Sequence, residues 1–336
     1  MSTGLNSHAI GIIGAGAWGT ALAYVLNKNG HVVYLWSYEA EVAETMNQKR
    51  VNEKYLPEVL LADQIVITTN LDYVLETVSV VVYASPSRFI VQLLKDKSVS
   101  LIRSKIWVLA SKGIDEVHGW HVLDLLQSIV PIPLENISVL SGPTFATELC
   151  RDLETFAVIA AAKKELALFV KRLFQNKFFK FTISSDVEGI LWCGALKNVA
   201  ALLLGMIDGI GYGKNVQAFL FVKIVDEIVE WLVLVGGKKE TAYDIVGIGD
   251  FYLTACSDMS KNRMYGFYVG QKQQDDFIRS KIPIVPEGVG SACGLYECIQ
   301  KNSLSAAFPL LASVHIILKK RCTAQAYLEQ FLGKIE

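Results

Sequence analysis

The sequence predicts an α/β protein in which a doubly wound, mainly parallel sheet is followed by an all-helical domain. Three observations predict this. A short apolar strand runs into a glycine loop and a helix at the N-terminus, and strand-like runs then alternate with helical stretches. From about Ser185 the strand-like runs give way to helical periodicity. We therefore expect a sheet domain over residues 1–185 and a helical domain over residues 186–336.

The first element, Ala9–Ala23, contains the pattern G-x-G-x-x-G at Gly14, Gly16 and Gly19. The first glycine allows a tight turn, the second lets the backbone approach a ligand, and the third lets the helix pack on the strand. The helix N-terminus then offers N–H groups to a pyrophosphate. A plain glycine-rich turn has the same letters, but the strand before it and the helix after it favour a Rossmann-type dinucleotide site.

The second strand, His31–Trp36, ends where this fold binds the adenosine ribose. An Asp or Glu there holds the 2′-hydroxyl of NAD, and a nearby Arg accepts the 2′-phosphate of NADP. The chain has Ser37, Tyr38 and Glu39 at this point. Glu39 is either a ribose ligand or, as we favour, an ordinary first-turn residue of a helix over Ala40–Asn47. The local pattern leaves the choice between NAD and NADP open.

Six further strands complete the predicted sheet. Ligands of such sheets bind outside the carboxyl ends of the strands, so we expect the turns at Gly14, Ser85, Ser111 and Ser141 to line a site. The six runs are Gln64–Thr69, Val78–Ala84, Lys105–Ala110, Ile137–Leu140, Thr155–Ala162 and Phe178–Ile183.

Two long apolar helices, Asp186–Met206 and Gln217–Val235, open the second domain. In the part of the first helix that begins at Gly189, only Lys197 and Asn198 are polar, which predicts a buried helix. Burial lowers the pKa of a lysine and makes it usable for proton transfer near neutral pH. A structural ion pair, or a side chain that extends to the surface, is equally compatible with the pattern.

Three other polar positions have two interpretations each. Asp250, which follows a glycine-rich run, is either a helix N-cap or the partner of Lys197. The stretch Ser257–Arg263 is either a phosphate site at a helix start or a capped, solvated first turn. Lys112 is either a loop lysine or a second cation over the active site.

Composition narrows the class of protein. The 32 Lys and Arg nearly balance the 33 Asp and Glu, which argues against a nucleic-acid surface. Six cysteines without a CxxC pattern indicate reduced, mostly buried thiols of a cytoplasmic protein. No secretory signal is recognisable, and the longest uncharged apolar stretch, Ser305–Leu318, is too short for membrane insertion. We expect His118 and His121 on the surface of one helix, no histidine paired with a carboxylate at motif spacing, and no metal site.

With these residues identified, the chain resembles the bacterial-type NAD(P)-dependent glycerol-3-phosphate dehydrogenases over nearly its whole length. The resemblance implies reversible reduction of dihydroxyacetone phosphate to sn-glycerol 3-phosphate with NAD or NADP, supplying glycerophospholipid synthesis. It also suggests a homodimer. The motifs that carry it are GAGAWGTALA from Gly14, ASKGI from Ala110, SGPTFATE from Ser141, GALKNVAA from Gly194, GIGDFYLTACS from Gly247, SKNR from Ser260 and PEGV from Pro286.

The resemblance also implies roles for individual residues. It makes Lys197 the residue that exchanges a proton with the substrate oxygen, with Lys112 and Asp250 orienting Lys197 and the substrate. The implied substrate-binding positions are Lys112, Gly142, Thr144, Lys197, Asp250, Ser260, Lys261 and Asn262. The implied cofactor-binding positions are Gly14, Gly16, Ala17, Trp18, Gly19, Lys112, Ala146, Lys261, Val285 and Glu287.

Two positions depart from the family pattern. Lys261 stands where members usually carry Arg, which keeps the charge but loses the bidentate fork. Ser37 and Tyr38 replace a basic residue often found after the second strand, which puts a preference for NADP in doubt.

Two rival functions fit the same architecture. One is another two-domain dehydrogenase of small hydroxy acids or sugar phosphates, and the other is a catalytically silent sensor that binds NAD. The SKN and GIGDF motifs argue against the first rival. The presence of Lys112, Lys197 and Asp250 together argues against the second, because a sensor does not need a lysine in an apolar helix.

Overall fold

The structure is a computed structural model that describes residues 7–320 and 322–335. The chain divides into two compact units. The first consists of Met1–Ser111 and Leu123–Val187, and the second of Lys112–Val122 and Glu188–Glu336. The segment Lys112–Val122, which follows the strand at residues 106–109, therefore groups with the second unit, although no feature of the sequence separates it from the first.

The described residues of the first unit form ten strands. They are β1 (Ala9–Ile13), β2 (Val32–Trp36), β3 (Val51–Asn52), β4 (Leu56–Leu60), β5 (Val66–Thr68), β6 (Val80–Tyr83), β7 (Ile106–Leu109), β8 (Ile137–Ser141), β9 (Thr155–Ala161) and β10 (Phe179–Ser184). Eight of them form one sheet in the order β10-β9-β8-β7-β6-β1-β2-β5, and only the pair β8–β9 is antiparallel. The doubly wound, mainly parallel sheet is thus confirmed, and the strand order reverses beside β1, where such folds bind ligands.

Helices cover this sheet and bury its apolar side chains. Ile10 and Ile12 of β1 and Leu22 and Leu26 of the following helix are fully buried in the core. The helices are α1 (Ala17–Lys28), α2 (Ala40–Lys49), α3 (Leu71–Thr77), α4 (Ile90–Leu94), α5 (Val99–Arg103), α6 (Val122–Ile129), α7 (Ala146–Cys150) and α8 (Lys164–Phe174), with 3-10 turns at Ser87–Phe89 and Leu134–Asn136.

A two-stranded antiparallel hairpin, β3–β4, was not predicted. The first of its strands has only two residues, and the second contains Pro57, which lacks the N–H of an ordinary ladder position. Because of these two features, the alternation of apolar and polar residues does not predict the hairpin.

The second unit is built from helices. They are α9 (Val187–Ile210), α10 (Lys214–Leu234), α11 (Lys239–Ala242), α12 (Asp250–Cys256), α13 (Lys261–Gly270), α14 (Asp275–Lys281), α15 (Glu287–Lys301), α16 (Pro309–Leu318) and α17 (Ala324–Leu332), with a π-helical turn at Ile245–Gly249. Among the described helices, α9 alone has the length and hydropathy of a membrane span, and 94% of its 18-residue apolar window is buried inside the protein. Such burial is that of a core helix.

Glycines set the distance between α9 and α13. A Cβ on Gly205 would lie 2.1 Å from the carbonyl oxygen of Arg263, and a Cβ on Gly266 would lie 2.0 Å from that of Leu202. No side chain fits at such separations, so the two helices can approach this closely only because both positions lack one. As a result of this close packing, the start of α13 lies beside the middle of α9.

The prediction that His118 and His121 share the surface of one helix is wrong. The carboxylate of Asp115 accepts hydrogen bonds from the N–H groups of Val117, His118 and Trp120, which fold this stretch into a turn. The sequence indicated no carboxylate partner at motif spacing for any histidine, but the fold supplies two carboxylate partners. His118 Nδ1 lies 3.2 Å from Asp115 Oδ2. Buried His121 places Nε2 2.8 Å from Glu188 Oε2.

The cysteines are less buried than predicted. All six are free thiols, of which Cys193 is buried and Cys256 is exposed, while the other four are partly exposed. In residues 7–320 and 322–335, no group of three or more His, Cys, Asp or Glu side chains is arranged to hold a metal ion.

Candidate active site

A buried carboxylate in the second unit holds two lysines. Asp250 is fully buried, and its Oδ2 lies 2.6 Å from the Nζ of Lys112. Its other oxygen, Oδ1, accepts a hydrogen bond from the Nζ of Lys197. The three residues come from the segment after β7, the middle of α9 and the first position of α12, so the fold assembles this cluster from distant parts of the chain.

The backbone around Asp250 fixes its position. The π-helical turn before it needs Gly247, since a Cβ there would lie 2.1 Å from the carbonyl oxygen of Ala242. The hydroxyl of Thr254 donates to the carbonyl oxygen of Asp250 at 2.7 Å. Asp250 is therefore the first residue of α12 rather than its N-cap, and its side chain serves as the counter-ion of the lysines.

Burial changes the acid–base behaviour of Lys197. Its side chain is 11% exposed. Desolvation is the main cause that lowers the pKa of Lys197 to about 7; the carboxylate of Asp250 opposes this shift, and the nearby ammonium of Lys112 contributes to it. Near neutral pH both the charged and the neutral form are accessible, so the amine can donate or accept a proton.

A hydrogen-bonded turn lies beside this cluster. Ser260 caps α13, and its Oγ accepts a hydrogen bond from the N–H of Arg263 at 3.2 Å. The side-chain amide of Asn262 donates to Asn198 Oδ1 at 3.0 Å, and its oxygen accepts the N–H of Gly288 at 3.0 Å. Since Asn198 follows Lys197 directly, one turn of α9 carries both the lysine and the anchor of this turn.

The two cations of the turn differ in their surroundings. Arg263 lies 2.7 Å from Asp208 and 2.6 Å from Asp258, so its charge is neutralised within the protein. Lys261 is exposed, and no carboxylate of the described residues lies within ion-pair distance of it. A free cation at the N-terminus of a ten-residue helix suits an anionic group such as a phosphate.

In the first unit, the glycine loop has the shape of a phosphate cradle. Gly14 has a φ of +119°, and a Cβ there would lie 2.7 Å from the backbone nitrogen of Ser85. A Cβ on Gly19 would overlap the carbonyl oxygen of Gly14 at 1.8 Å, whereas one on Gly16 would meet nothing within 4 Å. The fold thus requires the outer two glycines, and the middle one leaves open space where the pyrophosphate of a dinucleotide fits.

A residue that the sequence did not indicate, Asn52, supports this loop. It is 1% exposed, and its Nδ2 donates to the carbonyl oxygen of Ala15 and to Thr20 Oγ1, each at 2.8 Å. Its partners lie more than thirty residues earlier in the chain. The only sequence signal for Asn52 is a polar amide in a stretch to which no element was assigned, and this signal is too weak to predict the contact.

The remaining predicted positions are distributed over the two units. In the first unit, Gly142 has a φ of +153° and Thr144 Oγ1 donates to its carbonyl oxygen at 3.4 Å. The predicted residues of the first unit are Gly14, Gly16, Ala17, Trp18, Gly19, Gly142, Thr144 and Ala146. Those of the second unit are Lys112, Lys197, Asp250, Ser260, Lys261, Asn262, Val285 and Glu287.

A glycine cradle on a Rossmann-type sheet and a desolvated lysine in a helical unit are the features of a nicotinamide-dependent dehydrogenase. The family model described as the N-terminus of NAD-dependent glycerol-3-phosphate dehydrogenase matches residues 9–167, and its C-terminal counterpart matches residues 186–329. The chain belongs to the NAD-dependent glycerol-3-phosphate dehydrogenase family.

Individual relatives agree with this membership. The glycerol-3-phosphate dehydrogenase [NAD(P)+] of Syntrophotalea carbinolica is 34% identical over 310 residues, which are 92% of this chain and 92% of the relative. The enzyme of the same name from Geobacter sulfurreducens is 35% identical over 326 residues, covering 96% of each chain. The crystal structure of glycerol-3-phosphate dehydrogenase from Coxiella burnetii matches with a TM-score of 0.90 at 28% identity, covering 97% of this chain and 99% of that one.

Proposed function

We propose that this protein catalyses the reversible NAD(P)H-dependent reduction of dihydroxyacetone phosphate to sn-glycerol 3-phosphate. The observation that carries the proposal is the buried ion-paired cluster of Lys197, Asp250 and Lys112 in a chain of this family. A carbonyl reduction needs a proton donor beside the oxygen, and a lysine whose pKa is about 7 can act as one near neutral pH.

In the proposed mechanism, Lys197 delivers its proton to the C2 oxygen of the ketone, and in the reverse direction it removes the proton of the alcohol. The nicotinamide, when bound, supplies or accepts the hydride. Asp250 holds both ammonium groups in place through its two oxygens. Lys112 brings a second positive charge, which stabilises negative charge that develops on the substrate oxygen.

The phosphate of the substrate is proposed to bind at the start of α13. Lys261 offers an unpaired ammonium, and the helix N-terminus adds a partial positive charge. Asn262 is fixed by Asn198 and Gly288, so the turn is preorganised. A firm grip on the non-reacting phosphate helps to orient the carbonyl. Gly142 and Thr144 are proposed as further substrate contacts.

The cofactor is proposed to bind along the glycine loop. Gly16 leaves the backbone open to the pyrophosphate, and the N–H groups at the start of α1 can donate to it. The other proposed contacts are Gly14, Ala17, Trp18, Gly19, Lys112, Ala146, Lys261, Val285 and Glu287.

The proposal is tested by following NADH and NADPH at 340 nm with purified protein and dihydroxyacetone phosphate. Ketone-dependent oxidation, with sn-glycerol 3-phosphate as the product, is the expected result. Turnover of 2-oxo acids in place of the phosphate ester would favour a hydroxy-acid dehydrogenase. Tight cofactor binding without turnover of any ketone would favour a sensor.

We further propose that the enzyme is a cytoplasmic homodimer that supplies glycerophospholipid synthesis. The exposed apolar side chains of Val222, Val233 and Leu234 on α10 offer a surface for a second copy. Light scattering of the purified protein should give twice the mass of one chain, and the mass of a single chain would contradict the dimer. Fractionation of the native cells tests the location.

A further inference from the structure

The sequence offers no Arg near the end of β2 to accept a 2′-phosphate, but the fold brings a lysine there from elsewhere. Lys54 lies in the turn between β3 and β4, and its Nζ forms an ion pair with the carboxylate of Glu39. Glu39 is the residue before α2, three residues beyond the end of β2. Both charged groups are partly exposed, with 50% of the Lys54 side chain and 37% of the Glu39 side chain accessible.

The short hairpin β3–β4 contacts both the glycine loop and the residues that follow β2. In a dinucleotide-binding fold, the adenosine ribose lies between these two places. At its first strand, Asn52 donates to the carbonyl oxygen of Ala15 in the glycine loop. At its turn, Tyr55 donates its hydroxyl to Glu39 Oε1 at 2.5 Å, and the backbone N–H of Tyr55 donates to Asn52 Oδ1 at 3.2 Å. The hairpin therefore ties the phosphate loop to the residues after β2.

Each oxygen of the Glu39 carboxylate accepts one hydrogen bond from this hairpin, and the partly exposed carboxylate can accept another. Hydrogen bonds from Lys54 and then from Tyr55 hold the pKa of Glu39 below its usual range, so it remains an anion at neutral pH. A carboxylate at this place accepts a hydrogen bond from the 2′-hydroxyl of NAD and repels the 2′-phosphate of NADP. The partly exposed ammonium of Lys54 beside it can offset that repulsion.

We propose that Lys54 is the residue that lets this protein bind NADPH, by donating to the 2′-phosphate, while Glu39 serves the 2′-hydroxyl of NADH. The inference rests on the proposed use of a nicotinamide cofactor. Lys54 would exchange its partner, Glu39, for the phosphate when NADPH binds and keep it when NADH binds. The pair Glu39–Lys54 thus sets the cofactor preference that Ser37 and Tyr38 leave open.

Fluorescence titration of NADPH and NADH onto the purified protein tests the proposal, because it measures binding and needs no substrate. In Lys54→Gln, the Kd for NADPH should rise about tenfold or more, as expected for a lost charge-assisted hydrogen bond to phosphate, while the Kd for NADH changes less than about twofold. In Glu39→Gln, NADPH should bind more tightly than in the wild type.

Two further variants serve as references. Lys49→Gln removes the same charge from a lysine that pairs with Glu53 at 2.9 Å, and it should alter neither Kd. Asn52→Ala releases the glycine loop and should weaken both cofactors to the same extent. Thermal unfolding verifies that each variant is folded.

The proposal is overturned if Lys54→Gln leaves the Kd for NADPH unchanged, or weakens NADH as much as NADPH, or if Lys49→Gln produces the same loss. These outcomes are distinct from a failure of the proposed reaction. A protein that binds NADPH through Lys54 but turns over no ketone would contradict the assigned activity and leave the role of Lys54 intact.

Discussion

Replacing Asp250 by asparagine removes the negative charge that lies between the ammonium groups of Lys112 and Lys197. Both lysines contact this fully buried carboxylate, so the variant removes the negative charge that faces both ammonium groups. Breaking a buried ion pair by removing one partner typically costs about 3–5 kcal/mol. We expect a loss of that order in the free energy of unfolding of Asp250→Asn under mildly acidic conditions, where Lys197 is charged.

The loss should shrink as the pH rises. Without Asp250, the folded-state pKa of Lys197 falls below its wild-type value of about 7, whereas the unfolded chain keeps the ordinary value of 10.5. In each protein the unfolded state binds more protons between the folded-state pKa of Lys197 and 10.5, so the free energy of unfolding rises with pH there. Because this rise begins at a lower pH in the variant, the loss shrinks up to about pH 7 and is constant above it. Urea unfolding at several pH values measures this.

The same substitution should impair ketone reduction. A pKa that is lower by one unit leaves about ten times less of the protonated Lys197 on the alkaline side of the profile. The decline of kcat with rising pH should therefore begin at a lower pH than in the wild type. Asp258→Asn is the matched control, because Asp258 is 87% exposed in its pair with Arg263. A stability and a pH profile of Asp250→Asn that equal those of this control would refute the reasoning.

Two other predictions concern the frame of the helical unit. Gly266→Ala places a Cβ 2.0 Å from a carbonyl oxygen of α9. We expect the free energy of unfolding in urea to fall by about 1–3 kcal/mol and the KM for dihydroxyacetone phosphate to rise. Gly213→Ala adds a Cβ in open space and should change neither quantity. Glu227 accepts two N–H groups at the start of α16, each at 2.8 Å, and burial raises its pKa to about 8. From about pH 5 to pH 7 the folded state holds this proton more strongly than the unfolded state, so the contribution of Glu227 to stability falls with rising pH. Glu227→Gln should remove this decline. A free energy of unfolding that depends on pH in the variant as it does in the wild type would contradict the prediction.

The local pattern of apolar and turn residues in the sequence was sufficient to predict the strands of the sheet and the long helices. The eight strands of the sheet were all predicted, because each is an apolar run bounded by turn residues, and α9 was predicted from its nearly uniform apolarity. The glycine loop was also predicted, since its three glycines stand at a fixed spacing within one strand–turn–helix unit.

Partners that are distant in the chain could not be predicted from local pattern. Asn52 reaches the glycine loop from a hairpin with a two-residue strand, and His121 pairs with a carboxylate 67 residues later. The sequence suggested Lys197 and Asp250 as possible partners, but the role of Asn198 as the anchor of Asn262 depends on how closely α9 and α13 pack. The distance between α9 and α13 is a property of the tertiary structure. Single glycines at helical spacing did not predict it.

In the proposed mechanism, Lys197 provides the proton for reduction of dihydroxyacetone phosphate. The most direct test of this role compares wild type and Lys197→Ala for oxidation of NADH at 340 nm, with cofactor binding followed by fluorescence in the same preparations. We expect wild-type kcat to fall as the pH rises through about 7, and Lys197→Ala to bind NADH normally without measurable turnover. Turnover by Lys197→Ala at a rate near that of the wild type would contradict the assignment.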